Sequence, residues 1–370
     1  MVKDLSVYVH IPFCRRKCHY CSFYTVPYKE ASVGIYADAL LKEWEYKKSL
    51  TDFDFKIVSL FFGGGTPALL PAGYFEKIIR TIGANKDTEI TLEANPEDLT
   101  PVHLQELKNC GISRLSIGVQ TFRNPILKIL GREHTDLTSE SAIIQAFEAD
   151  FRNISIDMIY GLPHQTQNDW KEDLMKAVSL PLNHISIYNL TIDPHTVFYK
   201  YRRMIEPHII SDEEQKKMLN YTSEVMNSHR LKRYEIASYA FPGYASIHNL
   251  GYWTGRDFIG LGVSASQYLN GVRSQNIDRF SKYIRGAANR SIPQIVNEKL
   301  SLKEREKESL SLQLRIIEGI PLNSITPTFL NSILHSVELK PFLEITDNHL
   351  KLNLLGLLFH DTVAGEIMSL

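Results

Sequence analysis

The sequence predicts an α/β protein: six βα steps forming an open sheet or an incomplete barrel, followed by a smaller helical module with a short wing. Three observations carry that expectation. At 370 residues and 42.4 kDa, the chain is longer than one compact core usually organises. Short β-branched and aromatic runs alternate with longer amphipathic stretches over the first two-thirds. From Leu300 onward that alternation stops.

Taken in order, Leu5–Ile11, Lys56–Phe62, Thr88–Ala94, Ser113–Val119, Asn153–Ile159 and His184–Leu190 read as strands. Helical patterns lie between them at Tyr36–Ser49, Ala72–Gly83, Thr100–Cys110, Ser139–Ala149 and Trp170–Ser179. Each is long enough to cross back over a sheet, which makes the next strand parallel and puts chemistry at the strands' carboxyl ends. A helix over Asp212–His229 follows, then Arg233–Ala240 as a seventh strand, then the aromatic and Gly-rich segment Phe241–Gly271. Beyond Leu300 come a charged helix start, Lys303–Glu308, short helices, and an alternating segment, Leu350–Leu354. The charge run reads as a solvated helix face without chemistry. The expected domains are residues 1–232, a partial barrel; 233–297, its extension and substrate segment; and 298–370, a C-terminal helical, winged-helix-like domain.

Composition narrows the function. With 44% hydrophobic and 22% charged residues, the chain can bury a core, which excludes a disordered class. Lys plus Arg number 41 against 42 Asp plus Glu, a net charge of −1, so no global field draws the protein to nucleic acid. Winged modules often bind DNA, but this one carries 7 Lys/Arg against 10 Asp/Glu, a net of −3, which argues against that use. The longest apolar runs, such as Leu354–Phe359, fall far short of the roughly 20 residues a membrane span needs. Ser6, Tyr8 and His10 interrupt the apolar N-terminal stretch, which does not read as a secretion signal. Three of the four cysteines crowd into one loop, so a metal site in a reducing, cytoplasmic setting is expected rather than a disulfide scaffold.

That loop, Cys14-Arg15-Arg16-Lys17-Cys18-His19-Tyr20-Cys21, has the form C-x3-C-x2-C and directly follows the first strand. Three soft thiolates can hold three irons of a [4Fe–4S] cube and leave the fourth iron open to an exogenous ligand. The bland alternative is zinc with His19 as fourth ligand, which would strain the loop. Phe62-Gly63-Gly64-Gly65-Thr66-Pro67 directly follows the second strand, where backbone without side chains can approach a ligand closely. It lacks the spacings of nucleotide-phosphate loops.

With these two elements, the sequence resembles the radical S-adenosylmethionine superfamily. The resemblance implies a partial (β/α)6 TIM-like barrel and a reducible [4Fe–4S] cluster on Cys14, Cys18 and Cys21, whose open iron chelates S-adenosylmethionine. Further segments resemble the oxygen-independent coproporphyrinogen III oxidase-like group, in family order: Tyr8-Val9-His10-Ile11-Pro12-Phe13-Cys14, Leu92-Glu93-Ala94-Asn95-Pro96, Leu115–Phe122, Gly131-Arg132 and Ile156–Pro163. Position by position, this implies that Tyr8, Tyr20, Gly64, Gly65, Thr66 and Glu93 line the cofactor site. Gln120, Arg132 and Asp157 would extend the same cavity. Two departures from the decarboxylating oxidase point to the group's haem chaperone branch. Phe23 stands where that enzyme has a further cysteine, and His248-Asn249-Leu250-Gly251-Tyr252-Trp253 matches the branch's H-N-x-x-Y-W motif. The resemblance implies haem binding there, with His248 of the axial-ligand type and Tyr252 and Trp253 as flat apolar surface.

The leading expectation is therefore a haem-handling protein that passes haem cargo to an apo-haemoprotein acceptor, with the cluster and S-adenosylmethionine in a regulatory, assembly or redox role and no turnover required. The alternative is an enzyme that decarboxylates coproporphyrinogen III. Expected partners are haem or a porphyrinogen and an electron donor such as flavodoxin or ferredoxin, with no nucleic acid. Cys110 lies far from the cluster loop in sequence, so Cys110→Ser should leave bound iron unchanged. Loss of about a quarter or more of the iron on reconstitution, one ligand in four, would overturn the three-cysteine assignment.

Overall fold

A computed structural model describes residues Val2–Leu370. The six expected strands are present as β1 (Lys3–Ile11), β2 (Phe55–Gly64), β3 (Glu89–Ala94), β4 (Arg114–Gln120), β5 (Ile154–Tyr160) and β6 (His184–Asn189). They pair in that order and all run parallel. Leu5, Val7, Val9 and Ile11, on one face of β1, are fully buried, and Ser6 and His10 on the other face are buried too, as expected for a parallel strand covered on both faces. Five crossover helices return the chain: α1 (Glu30–Ser49), α2 (Ala72–Ile82), α3 (Pro101–Asn109), α5 (Asp136–Glu148) and α6 (Gln167–Val178). Thr100, Thr135 and Thr166 cap the N-termini of α3, α5 and α6 with their hydroxyls.

The structure departs from the sequence expectation in four places. A short helix, α4 (Asn124–Leu130), precedes α5 and stops at Gly131, whose φ of 75° suits glycine. That stop releases Arg132 towards the strand ends. The expected seventh strand is instead a hairpin, β7 (Lys232–Glu235) and β8 (Ser238–Ala240), which pairs antiparallel with β6. Backbone bonds from Ile236 to Arg315 and from Ile317 to Tyr234 hold its turn against the C-terminal part of the chain. Thirdly, within the aromatic and Gly-rich segment, β9 (Phe258–Leu261) adds parallel to the other side of β1. Antiparallel strands β10 (Ser266–Leu269), β11 (Val272–Asn276) and β12 (Gln294–Lys299) continue from it. The result is one open twelve-stranded sheet with residues 233–297 distributed to both of its edges. Finally, the charge run belongs to helix α10 (Leu302–Gln313), where Arg305 and Glu308 are half-buried against the sheet extension, so the expectation of a purely solvated face is corrected. Between these elements lie α7 (Asp212–Ser228), α8 (Ile247–Trp253) and α9 (Phe280–Ala288).

The main apolar core runs from Leu5 to Ala287, and a second one, from Leu310 to Ile367, supports a three-stranded wing. A buried polar network fastens the sheet extension to α1. The Glu43 carboxylate, fully buried, accepts from the Gly262 N–H and the Tyr283 hydroxyl, both at 2.7 Å, and from the Asn276 amide at 2.6 Å. Lys47 Nζ lies 2.9 Å from Glu43 and donates to the Gly260 carbonyl at 2.6 Å. Such a group is stable because every lone pair is used, and removing one charge leaves the other buried and unpaired. Glu43→Leu should lower unfolding stability by about 3–5 kcal/mol, read as a fall in the urea midpoint. A change within about 0.5 kcal/mol, the range of an ordinary surface substitution, would refute the clamp.

Candidate cofactor and ligand-binding site

The loop after β1 begins where Phe13–Cys14 pairs with Val26–Pro27, which pins its base. Within it, Cys14, Cys18 and Cys21 are half-buried free thiols. The Thr66 hydroxyl donates to Cys14 Sγ at 3.6 Å, and Arg132 Nη1 to Cys18 Sγ at 3.5 Å. His19 is turned elsewhere: its Nδ1 bonds the Ile129 carbonyl at 2.8 Å, and its ring lies over Gly131. The zinc alternative with His19 thus has no support in this geometry. Among the described residues no three His, Cys, Asp or Glu side chains group as ligands of a single metal ion. The three thiols instead share the wall of a cavity of about 390 Å³.

The same cavity gathers Tyr20, Gly64, Gly65, Thr66, Glu93, Gln120, Arg132 and Asp157 from the ends of β2, β3, β4 and β5 and the loops beyond. Two glycines allow the close approach. Gly64 has φ of 114°, and a Cβ there would strike the His10 ring at 2.5 Å; a Cβ on Gly65 would meet the Phe13 carbonyl at 2.7 Å. The Gly64 N–H donates to Glu93 at 3.0 Å. A register shift between Gly118 and Gln120 leaves Gln120 at φ 68°, in the wall of the cavity. Such strained positions are characteristic of ligand sites. Burial, reinforced by Asp157, pushes the Glu93 carboxyl up to about 7. Asp157 is also raised by burial, although Ser116 donates to it at 3.1 Å. Burial likewise raises the Cys14 thiol to about 11 and the Cys21 thiol, so ligation there must release protons.

Tyr8 stands apart from this group. Its hydroxyl contacts His10 Nδ1 at 3.0 Å, and it lines an adjoining chamber of about 300 Å³ that shares Gly64, Glu93 and Asp157 with the first. A third and larger cavity, about 1070 Å³, opens between the cluster loop, the sheet extension and α10. Tyr252 and Trp253 line it. Among the described residues, Phe23 is the one common to the walls of all three.

His248 does not fit the axial-ligand expectation in this conformation. The side chain is 1% exposed, Ser59 and Tyr252 occupy its Nδ1 and Nε2 at 2.9 Å each, and Phe61 stacks on it at 4.9 Å. Burial, with Arg256 nearby, lowers it to about 3, so it is neutral. Its geometry is that of a residue that positions Tyr252. Sequence reasoning missed Asn95, whose amide donates to the Thr66 hydroxyl at 3.2 Å, and the arginines of the large cavity. No local spacing announces either. Cys110 bonds only backbone carbonyls of its own helix, at 3.1 and 3.5 Å.

Fold and site together define a radical S-adenosylmethionine protein. The sequence model of the Radical SAM superfamily matches residues 8–177. The chain is 34% identical over 323 residues to the haem chaperone HemW of Lactococcus lactis, covering 86% of this chain and 83% of that one. To HemW of Bacillus subtilis it is 34% identical over 320 residues, covering 85% and 84%. The solved structure of the Escherichia coli coproporphyrinogen III oxidase HemN, a radical SAM enzyme, superposes with a TM-score of 0.84 at 21% identity, covering 100% of this chain and 91% of that one. This chain belongs to the HemW family of radical S-adenosylmethionine proteins.

The superfamily uses a [4Fe–4S] cluster with S-adenosylmethionine. The donor set fits: three thiols on one cavity wall, a hydroxyl on one and a guanidinium on another, with carboxyls and bare glycine backbone opposite. The raised Glu93 has a measurable cost. Between about pH 4.5 and 7 the unfolded carboxyl is ionised while the buried one keeps its proton, so the cofactor-free protein loses stability as pH rises through that window. Glu93→Gln should therefore raise the Tm of cofactor-free protein by a few degrees at pH 8 and by little at pH 5. A pH-independent difference between the two proteins would sink this account.

Proposed function

We propose that this protein is a haem chaperone: it holds haem in the large cavity beside a cluster and S-adenosylmethionine site and passes it to an apo-haemoprotein. What carries the reading is the connection of the cavities. Phe23, which replaces a cysteine of the decarboxylating oxidase, separates the cluster wall from a cavity of about 1070 Å³ lined by Tyr252 and Trp253. Ligand pockets commonly measure about 300–1,000 Å³, so the larger cavity suits a tetrapyrrole and the 390 Å³ one a smaller cofactor. The names of the HemW relatives support the same assignment.

In this reading Cys14, Cys18 and Cys21 hold the cluster. Tyr20, Gly64, Gly65, Thr66 and Glu93 receive S-adenosylmethionine with Tyr8 behind them, and Gln120, Arg132 and Asp157 extend the site. When bound, the cluster supplies a single electron to the sulfonium. Arg132 offsets thiolate charge at Cys18, and the Gly64 N–H keeps the Glu93 carboxyl turned into the cavity. His248 positions Tyr252, and Tyr252 and Trp253 form the haem wall. Exposed Arg16 and Lys17 at the cluster loop suit an acidic electron donor such as flavodoxin or ferredoxin, and a cytoplasmic setting follows from such partners. No helix among the described residues is long and apolar enough to cross a membrane.

The test is direct. In anaerobically reconstituted protein, haem titration and coproporphyrinogen III decarboxylation are measured for wild type, His248→Ala and Trp253→Ala. The expected result is haem binding without decarboxylation, weakened roughly tenfold by Trp253→Ala, the effect of losing about 1.4 kcal/mol of ring contact. Decarboxylation with undetectable haem affinity would establish the oxidase reading instead.

A further inference from the structure

The large cavity carries more than an aromatic wall. Three arginines line it, Arg256, Arg273 and Arg305, together with two carboxylates, Glu298 and Glu308. Arg273 binds both of those carboxylates, Glu308 through Nη1 and Glu298 through Nη2, at 2.8 Å each. Among the described residues, neither Arg256 nor Arg305 has a carboxylate within ion-pair distance.

Neutral groups hold both in place. Arg256 Nη1 donates to the Ile247 carbonyl at 3.1 Å and to the Ser6 hydroxyl at 3.3 Å, and it lies over Gly251, where a Cβ would approach within 2.8 Å. Arg305 Nε donates to the Leu300 carbonyl and its Nη2 to the Asn270 carbonyl, both at 3.1 Å. It lies over Gly271, where a Cβ would come within 1.8 Å of the guanidinium carbon. Thus two guanidinium groups are oriented in advance by backbone, over glycines, without an anion to neutralise them. Asp4 and Glu89 act on Arg256 only from beyond ion-pair range.

The rest of the wall is of two kinds. Phe23, Tyr252, Trp253, Phe258, Val296 and Leu312 supply apolar surface. Two buried polar atoms, Trp253 Nε1 and Gln267 Oε1, have no protein partner. A ligand that satisfies this wall is broad and apolar in its body and carries acidic groups at its rim.

We propose that Arg256 and Arg305 are the receptors for the two propionate carboxylates of haem, one supplied by the sheet extension and the other by the first turns of α10. This rests on the haem reading and adds to it a recognition chemistry: a flat tetrapyrrole dicarboxylate, held by charge-assisted hydrogen bonds that need no metal ligation. The C-terminal module becomes part of the binding site through Arg305.

The experiment titrates cluster-loaded, full-length protein with ferric protoporphyrin IX and with its dimethyl ester, for wild type, Arg256→Gln, Arg305→Gln and the double variant. Iron content and far-UV circular dichroism serve as controls of folding. The expected result is that each single substitution weakens haem binding about tenfold, the double variant more, and that wild type binds the diester about as weakly as the double variant binds haem. The substitutions should leave diester affinity nearly unchanged. Equal affinity of wild type for haem and diester would overturn the propionate assignment while leaving the haem reading intact, and this comparison stands even if a variant misfolds. Unaltered haem affinity in both folded single variants would overturn it as well. Absence of haem binding by wild type would remove the haem reading and this inference with it.

Discussion

One buried carboxylate joins the two halves of this molecule. Glu43 sits on α1, within the first βα step, yet its hydrogen-bond partners are Gly262, Asn276 and Tyr283, more than two hundred residues further along. Its lone pairs fix where β9 and β11 lie, and the register of β9 on β1 follows from Ser6 opposite Phe258 to Val9 opposite Leu261. The wall of the large cavity is built on those strands. The barrel half supplies the cluster loop and the extension supplies the ligand wall, so the Glu43 network sets the distance between them. Burying Glu43 and Lys47 together is tolerable only because amide, hydroxyl and carbonyl groups complete the network around them.

The cofactor side of the molecule shows the opposite economy. Glu93 and Asp157 share one polar cavity, burial raises both carboxyls, and Asp157 adds to the shift of Glu93 while Arg114 and Arg132 only partly offset that of Asp157. Gln120 stands in the left-handed region with no glycine to relieve it, and Gly64 fills a position that no side chain can take. These are features that packing alone would remove, since a hydrophobic replacement costs nothing in desolvation. They persist where a ligand's own ammonium, hydroxyl and carboxylate groups complete the interactions. Stability and ligand readiness are here in direct competition.

Much of this was legible in the sequence, for physical reasons that differ by element. The six parallel strands are short runs rich in β-branched residues, set off by longer helical patterns, so their limits fell within two residues of those observed. The cluster cysteines and the glycine loop are local patterns whose chemistry depends on spacing alone. What escaped depends on contacts between distant residues. The pairing of Phe258–Leu261 with β1 spans some 250 positions, and nothing in a four-residue run declares its partner. Arg233–Ala240 has strand composition throughout, but bonds from the Ile236 N–H to the Arg315 carbonyl and from the Ile317 N–H to the Tyr234 carbonyl hold its middle as the turn of a hairpin. The axial-ligand expectation for His248 rests on a local motif, which does not show what packs against the ring. Ser59, contributed by β2, is what closes its second nitrogen.

The three cavities meet at a single aromatic ring, and that has a thermodynamic consequence. Ser22 and Phe23 belong both to the cluster-side cavity and to the large one, so a ligand in either fixes the same short stretch of loop. If occupancy of one cavity biases the Phe23 ring between two positions, then the affinity of the other changes, and by linkage the effect is equal in both directions. A cofactor bound at the cluster can thereby govern retention of the cargo without any covalent chemistry passing between them. A cysteine at position 23 would instead present a thiol to the cofactor side and lose the apolar contact to the cargo side. The phenyl ring of Phe23 bears on both cavities at once, which suits the position to coupling two bound ligands.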